Sequence, residues 1–258
     1  MKNTFQKRKI IINDLLINYY CLSQNQSLPV LLFLHGWRSE SSLWFSAIPD
    51  SLSKNYQLYF IDLPGFGESQ IPQVNFDLDN YSKVVKEFIK KLNLHPVTLV
   101  GHSFGGSMTI NLAAKSPELI DKIVLIGSSG IRKKNRFKVT AAIIAKIVGP
   151  VFKLPFMGNI RTKIYKMIGS EDYIATPELQ QVYMNIINDD LSPLLSKIKK
   201  KTLLIWGKLD RETPLRYGEI MKKEIPNSQL VILSKAGHYS FLDDPYGFQK
   251  AFLSFLNN

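Results

Sequence analysis

One cysteine, Cys21, stands in a chain of 258 residues, which leaves no disulfide within the chain and no cysteine-based metal cluster. That scarcity fits a reducing compartment, and we expect a soluble, cytoplasmic protein. Long apolar runs are also missing. The Ala/Ile-rich stretch 139–148 is ten residues long and carries Lys146, too short and too charged to span a membrane. Lys2, Lys7, Arg8 and Lys9 make the N-terminus basic, but the apolar helix and small-residue cleavage site of a secretory signal do not follow. A His-Glu-x-x-His pair and a lysine-bearing phosphate loop are absent too, so the sequence asks for no metal and no organic cofactor. Neither an internal repeat nor a low-complexity tract is present.

Acidic residues are few: 21 Asp and Glu against 33 Lys and Arg, a net charge of +12. The imbalance is local. Between 131 and 201, fourteen basic residues face five acidic ones, a net of +9 that leaves +3 for the rest. Such a balance first suggests nucleic acid. These cations are scattered among apolar residues, however, and no nucleic-acid-binding motif accompanies them. We therefore expect a solvated lysine-rich surface and no nucleic-acid partner, with weak contact of this basic segment to anionic surfaces or a taste for acidic substrates as its other uses.

What is present is organised around 97–108, VTLVGHSFGGSM. An apolar strand-like run ends at Gly101-His102-Ser103-Phe104-Gly105, and helical spacing begins at once through Met108, Ile110 and Leu112. A strand, a tight turn and a helix meeting at one serine form a nucleophile elbow, with Oγ at the tip and helix N–H groups beside it. Gly101 and Gly105 are required because Cβ atoms there would collide as strand and helix close up. By composition alone, Gly-x-Ser-x-Gly arises in roughly one chain in ten of this length, so its surroundings decide what it means.

Those surroundings are regular. Asn13-Asp14 between two β-type runs predicts a hairpin, and 29–34 reads as a buried strand. A short helix is expected from Ser39–Ser42 caps through Leu43, Trp44, Ile48 and Leu52, then a strand at 57–61 and a helix at 79–92. After the elbow come a strand at 122–126, a strand at 203–206, a helix at 214–224, a strand at 229–233 and a closing helix at 245–256. Alternation of this kind implies a mostly parallel sheet covered on both faces, with chemistry past the carboxyl ends of its strands. Those loops hold His35-Gly36, Asp62, Ser103, Ser128-Ser129, Asp210 and His238. From 131 to 196 the alternation stops, and apolar-basic helices at 139–148, 160–167 and 177–188 are expected, broken by Gly149-Pro150, Leu154-Pro155 and Thr176-Pro177.

A serine hydroxyl needs a positioned base, and the chain has four histidines. His95, before Pro96, falls at the wrong end of its strand. His102 must leave the elbow in another direction from Ser103, and His35 sits beside the expected oxyanion loop. His238, in Ala236-Gly237-His238-Tyr239 after the last strand, is the base. The acid that fixes its tautomer is Asp210, with Glu212 as the alternative; the other possible loop, Gly127-Ser128-Ser129-Gly130, has no carboxylate. Asp243 and Asp244 read as caps of the last helix.

In the order Ser…Asp…His, with His35-Gly36-Trp37 and with Asp62-Leu63-Pro64-Gly65-Phe66-Gly67-Glu68-Ser69, the chain resembles the α/β-hydrolase superfamily along nearly its whole length, in its small, lidded esterase and carbon–carbon hydrolase branch. The resemblance implies an α/β-hydrolase fold with an eight-stranded, mostly parallel sheet, a core of 1–130 and 197–258, and a helical cap at 131–196. It implies catalysis by Ser103, His238 and Asp210, and an oxyanion hole from the backbone N–H groups of Trp37 and Phe104, whose side chains then matter less. The expected substrate is a small or medium apolar carboxylic ester, and the expected assembly a monomer or homodimer. Two alternatives share the site. One is a carbon–carbon hydrolase of vinylogous diketone acids, with Arg161 or Lys163 on the substrate carboxylate, although Tyr239 stands where that branch often has Trp. The other is a small-molecule receptor that does not turn its ligand over.

Overall fold

Asn13 and Asp14 both have positive φ, 48° and 63°, the hand that a two-residue hairpin turn requires and that Asn and Asp tolerate. Around them β1 (Gln6–Ile12) and β2 (Leu15–Leu22) pair antiparallel. The computed structural model describes residues 5–22, 25–72, 76–132, 176–187 and 189–257. Six further strands follow: β3 (Val30–Leu34), β4 (Gln57–Ile61), β5 (Val97–His102), β6 (Ile120–Ile126), β7 (Lys201–Gly207) and β8 (Ser228–Leu233). They form one sheet in the order β1-β2-β4-β3-β5-β6-β7-β8. β2 meets β4 antiparallel, and every pairing from β4 through β8 is parallel.

Alternation along the strands sorts the core into two layers. Leu32, Leu34, Leu99, Ile123, Leu125, Leu204 and Trp206 pack on one face, against α1 (Leu78–Lys91) and α2 (Phe104–Lys115). Leu31, Phe33, Val100, Val124, Ile126, Leu203 and Ile205 pack on the other, against α6 (Ser240–Asp243) and α7 (Pro245–Leu256). Each such side chain, fully removed from water, contributes about 1.5–3 kcal/mol. α2 is buried at every position from Phe104 to Ala113, which is why its sequence shows so little polar face. Asp77 caps α1 by accepting from Asn80 N, and the Asn80 side chain accepts from Asp77 N in return, a reciprocal capping box.

Two segments differ from the periodicity. The helix expected near 39–52 is two 3-10 turns, Ser41–Trp44 and Asp50–Lys54. Pro49, extended at φ −67° and ψ 139°, separates them, while Trp44, Ile48 and Leu52 still reach the core. The helix after β7 begins at Arg216 (α5, Arg216–Glu224) rather than at Pro214. There the Thr213 carbonyl accepts from Trp206 Nε1 at 2.7 Å instead of opening a helical ladder.

Of the expected cap, the helices at 139–148 and 160–167, with Arg161 and Lys163, lie outside the described residues. The described part contains α3 (Gln180–Ile186) and α4 (Ser192–Leu195). Leu179, Val182, Ile186, Leu191 and Leu195 bury themselves in the same apolar cluster as α1 and α2. A hydrogen bond from Leu191 N to Gly130 O (2.8 Å) ties this segment to the loop after β6.

Candidate active site

Ser103 sits where β5 ends and α2 begins, at φ 50° and ψ −112°, a conformation that L-residues hold only when their surroundings enforce it. The surroundings are hydrogen bonds. Ser103 N donates to Ile126 O (3.0 Å), and Ser103 O accepts from Ser129 N and Ser129 Oγ, both at 3.1 Å. Ser129 Oγ in turn meets Ser107 Oγ at 2.6 Å. A Cβ on Gly101 would lie 2.5 Å from Gly105 O, the strand–helix collision expected from the sequence. At Gly105 the obstacle is different: its Cβ would lie 2.2 Å from Leu34 O, so this glycine exists to let α2 approach β3.

His238 and Asp210 meet. Parallel register places the ends of β7 and β8 side by side, and His238 Nδ1 lies 2.9 Å from Asp210 Oδ2, both side chains nearly fully buried. Asp210 Oδ1 accepts from the amides of Glu212 and Thr213 (2.9 Å each), and Oδ2 accepts from Thr213 Oγ1 (2.7 Å). Burial pushes this carboxyl's pKa up. The hydrogen bond and charge of His238, with the Thr213 bonds, outweigh it and hold the group below its ordinary value. Gly127, at φ +46°, leaves the room: a Cβ there would stand 3.1 Å from Asp210 Oδ2.

Glu212, the alternative acid, is on the far side of the ring, its Oε2 3.4 Å from His238 Nε2. Thr213 is an addition that the sequence did not announce. Its hydroxyl lies within reach of Gly127 O (2.9 Å), Asp210 Oδ2 and His238 Nδ1 (3.3 Å) at once. Asp243 also departs from expectation. Asp244 caps α7 through Gly247 N (2.9 Å), but Asp243 Oδ2 accepts from Gly237 N (2.8 Å) and so clamps the loop that carries His238.

The remaining histidines are structural. His35 Nδ1 donates to Gly36 O (2.7 Å) and its Nε2 accepts from Leu63 N (3.0 Å), which fixes a neutral ring. His102 Nε2 donates to His238 O (3.1 Å) in a cage of Trp44, Tyr239 and Phe241. Its Nδ1 is buried with no partner among the described residues. Burial, then the neighbouring His238 charge, lowers the His102 pKa to about 3, and burial lowers that of His35. Unfolded, both would titrate near 6.5. As pH falls below that value the unfolded chain takes up protons that the fold refuses. Stability is therefore lost with acid, by up to about 1.4 kcal/mol per pH unit for each group. His102→Gln should flatten the decline of Tm between pH 6.5 and 4 in thermal melts; parallel declines would contradict the assignment. His95 is exposed at the opposite end of β5.

The loop after β4 props up the segment 35–37 after β3. Asp62 accepts from Ser41 N (2.8 Å), Asn18 Nδ2 (2.8 Å) and Glu68 N (3.1 Å), and Tyr81 Oη donates to Pro64 O (3.0 Å). Phe66, held this way, packs its ring against His35 and Trp37. Among the described residues the backbone N–H groups of Trp37 and Phe104 have no acceptor, and both residues line one cavity with Ser103. The Trp37 indole packs on Phe66, Phe104 and Tyr183. With Ser103, Phe104, Tyr183, Ile186 and Glu212 it lines a cavity of about 180 Å³. Ser103 Oγ makes no hydrogen bond among the described residues. The serine stands in the cavity that Glu212 and Thr213 border, not yet joined to the histidine, and such bonds often close only on a bound substrate.

A family model described as the alpha/beta hydrolase fold matches residues 29–148 and 175–245. The chain therefore belongs to the α/β-hydrolase family. It is 31% identical over 242 residues to an uncharacterized hydrolase, YugF, of Bacillus subtilis, covering 85% of this chain and 87% of that one. It is 25% identical over 252 residues to the 2-hydroxy-6-oxo-6-phenylhexa-2,4-dienoate hydrolase of Burkholderia cepacia, covering 88% and 87%. Its fold is shared with a bacterial membrane phospholipase A (TM-score 0.78, 23% identity, 98% of this chain and 86% of that one). Among the described residues no helix is long and apolar enough to cross a membrane, and no three His, Cys, Asp or Glu side chains stand together as metal ligands.

Proposed function

We propose that this hydrolase cleaves small or medium apolar carboxylic esters through an acyl-enzyme on Ser103. His238 takes the serine proton as Oγ attacks the carbonyl, and Asp210 holds the imidazole in the tautomer that accepts it. The N–H groups of Trp37 and Phe104 bind the oxyanion. His238 then protonates the leaving alcohol, and water activated by the same ring releases the acid. One observation carries the reading: the buried 2.9 Å Asp210–His238 bond stands behind a cavity whose serine is held in the strained backbone of an elbow. The segment 131–196 would roof this cavity as a cap, in line with the break in the family match between 148 and 175. The setting would be a reducing, cytoplasmic one, and the partner a small molecule.

The cavity of about 180 Å³ holds about six groups the size of a water molecule. Across p-nitrophenyl esters of graded acyl length, kcat/KM should peak between about two and six carbons and fall for long chains. A maximum at ten carbons or more would contradict the pocket assignment.

A second reading, carbon–carbon bond hydrolysis of a vinylogous diketone acid, has the Burkholderia relative in its favour. Tyr239 in place of Trp speaks against it, and Arg161 and Lys163, which it would use for the substrate carboxylate, lie outside the described residues.

A further inference from the structure

We infer that Glu212 is a specificity-determining carboxylate, one that sets the site against substrates carrying negative charge near the scissile carbonyl. The inference rests on the serine-hydrolase reading and narrows it to uncharged or cationic esters.

His238 lies between two carboxylates with different jobs. Asp210 takes Nδ1 and is closed off from water. Glu212 stands 3.4 Å from Nε2, the nitrogen that must serve the serine and the leaving group, with its side chain 64% exposed. That contact is the only ion pair or hydrogen bond of the Glu212 carboxylate among the described residues. Its place is nonetheless fixed, because Glu212 N donates to Asp210 Oδ1 (2.9 Å) and the next residue, Thr213, is bound to the same acid. The backbone that seats the triad acid thus delivers a second carboxylate to the cavity that holds Ser103, Trp37 and Phe104.

Proton transfer requires the reacting oxygens to come within about 3 Å of Nε2, so part of every productive substrate passes within about 7 Å of Glu212. A carboxylate on that part meets like charge. Among the described residues, the other charged groups lining the cavity do not reverse this. Asp189 is a second carboxylate, and Arg132 has Asp189 and Asp190 as its electrostatic partners, its backbone N–H donating to Asp190. Allowing for solvent screening at an exposed group, the repulsion amounts to about a threefold effect on kcat/KM. A dienoate acid would meet the same field, which weighs against the carbon–carbon reading.

The test compares p-nitrophenyl pentanoate with the mono-p-nitrophenyl ester of glutaric acid, acyl chains of equal length of which the second carries a carboxylate. The neutral-to-anionic ratio of kcat/KM should fall about threefold from wild type to Glu212→Gln, fall further in Glu212→Lys, and shrink in wild type as salt is raised. A ratio unchanged within twofold in both variants overturns the inference while the esterase reading stands. Should neither ester turn over in wild type, the esterase reading fails, and the inference is decided by the rates at which a neutral and a carboxylate-bearing alkyl fluorophosphonate label Ser103. A labelling ratio that shifts with Glu212 sustains it; an unshifted ratio, or no labelling at all, overturns it.

Discussion

Ser103→Ala should lower kcat on p-nitrophenyl esters by about 10⁴-fold or more while the protein keeps its fold. On the proposed mechanism the loss follows from removing the atom that forms the acyl-enzyme; what would remain is the slow attack of water in a site that still binds substrate and oxyanion. Survival of the fold follows from what the hydroxyl does not do. Ser103 Oγ makes no hydrogen bond among the described residues, whereas the bonds that hold the elbow use Ser103 N and O. Alanine meets the same backbone strain at φ 50° and leaves those bonds intact. The expected change in stability is below about 0.5 kcal/mol, which is under about 2 °C in Tm for a chain of this size. Steady-state assays beside thermal melts check both halves. A variant that unfolds would show the elbow to be supported by the side chain after all.

Asp210→Asn should cost about 10³–10⁴-fold in kcat/KM with little change in shape. Two amides, Glu212 N and Thr213 N, already donate to Asp210 Oδ1, so the asparagine oxygen must stay there and its NH₂ must face the ring. A donor opposite Nδ1 forces the imidazole to carry its proton on Nε2, where it cannot receive the serine's. Glu212 offers no rescue, since it faces the other nitrogen. The same pair gives a signed pH effect. With the folded Asp210 pKa held below its ordinary 3.8, the carboxylate's contribution to stability is complete above that value. It is lost as pH falls through the lower folded pKa. The Tm advantage of wild type over the asparagine variant should therefore be constant above the ordinary carboxylate value of 3.8 and close only in more acid solution. A gap that widened with acid would contradict the assignment.

Much of this was legible because it depends on order along the chain. Parallel strands must put Ser103, Asp210 and His238 past the same edge of the sheet, and the unbroken apolar run at 29–34 marked a strand buried on both faces. Side-chain direction was not legible. Asp210 and Glu212 differ by two residues, yet they address opposite nitrogens of one ring. Asp243 looked like a helix cap beside Asp244 and instead holds the Gly237 amide. Thr213 gave no signal at all, because its hydroxyl acts only where β6, β7 and the His238 loop converge. Gly105 was read as making room within the elbow, whereas its missing Cβ clears a neighbouring strand that is distant in sequence. The turns around Pro49 show the same limit at the level of backbone: apolar spacing located the buried side chains but not the kind of helix that carries them.

Incubation with an alkyl fluorophosphonate, followed by intact-mass measurement and peptide mapping, tests the central claim most directly. It reports the nucleophile without needing the right substrate. We predict one adduct per chain in wild type, mapped to Ser103, none in Ser103→Ala, and labelling slowed by orders of magnitude in Asp210→Asn. An unlabelled wild-type protein, an adduct on another residue, or ester turnover that persists undiminished in Ser103→Ala would contradict the account.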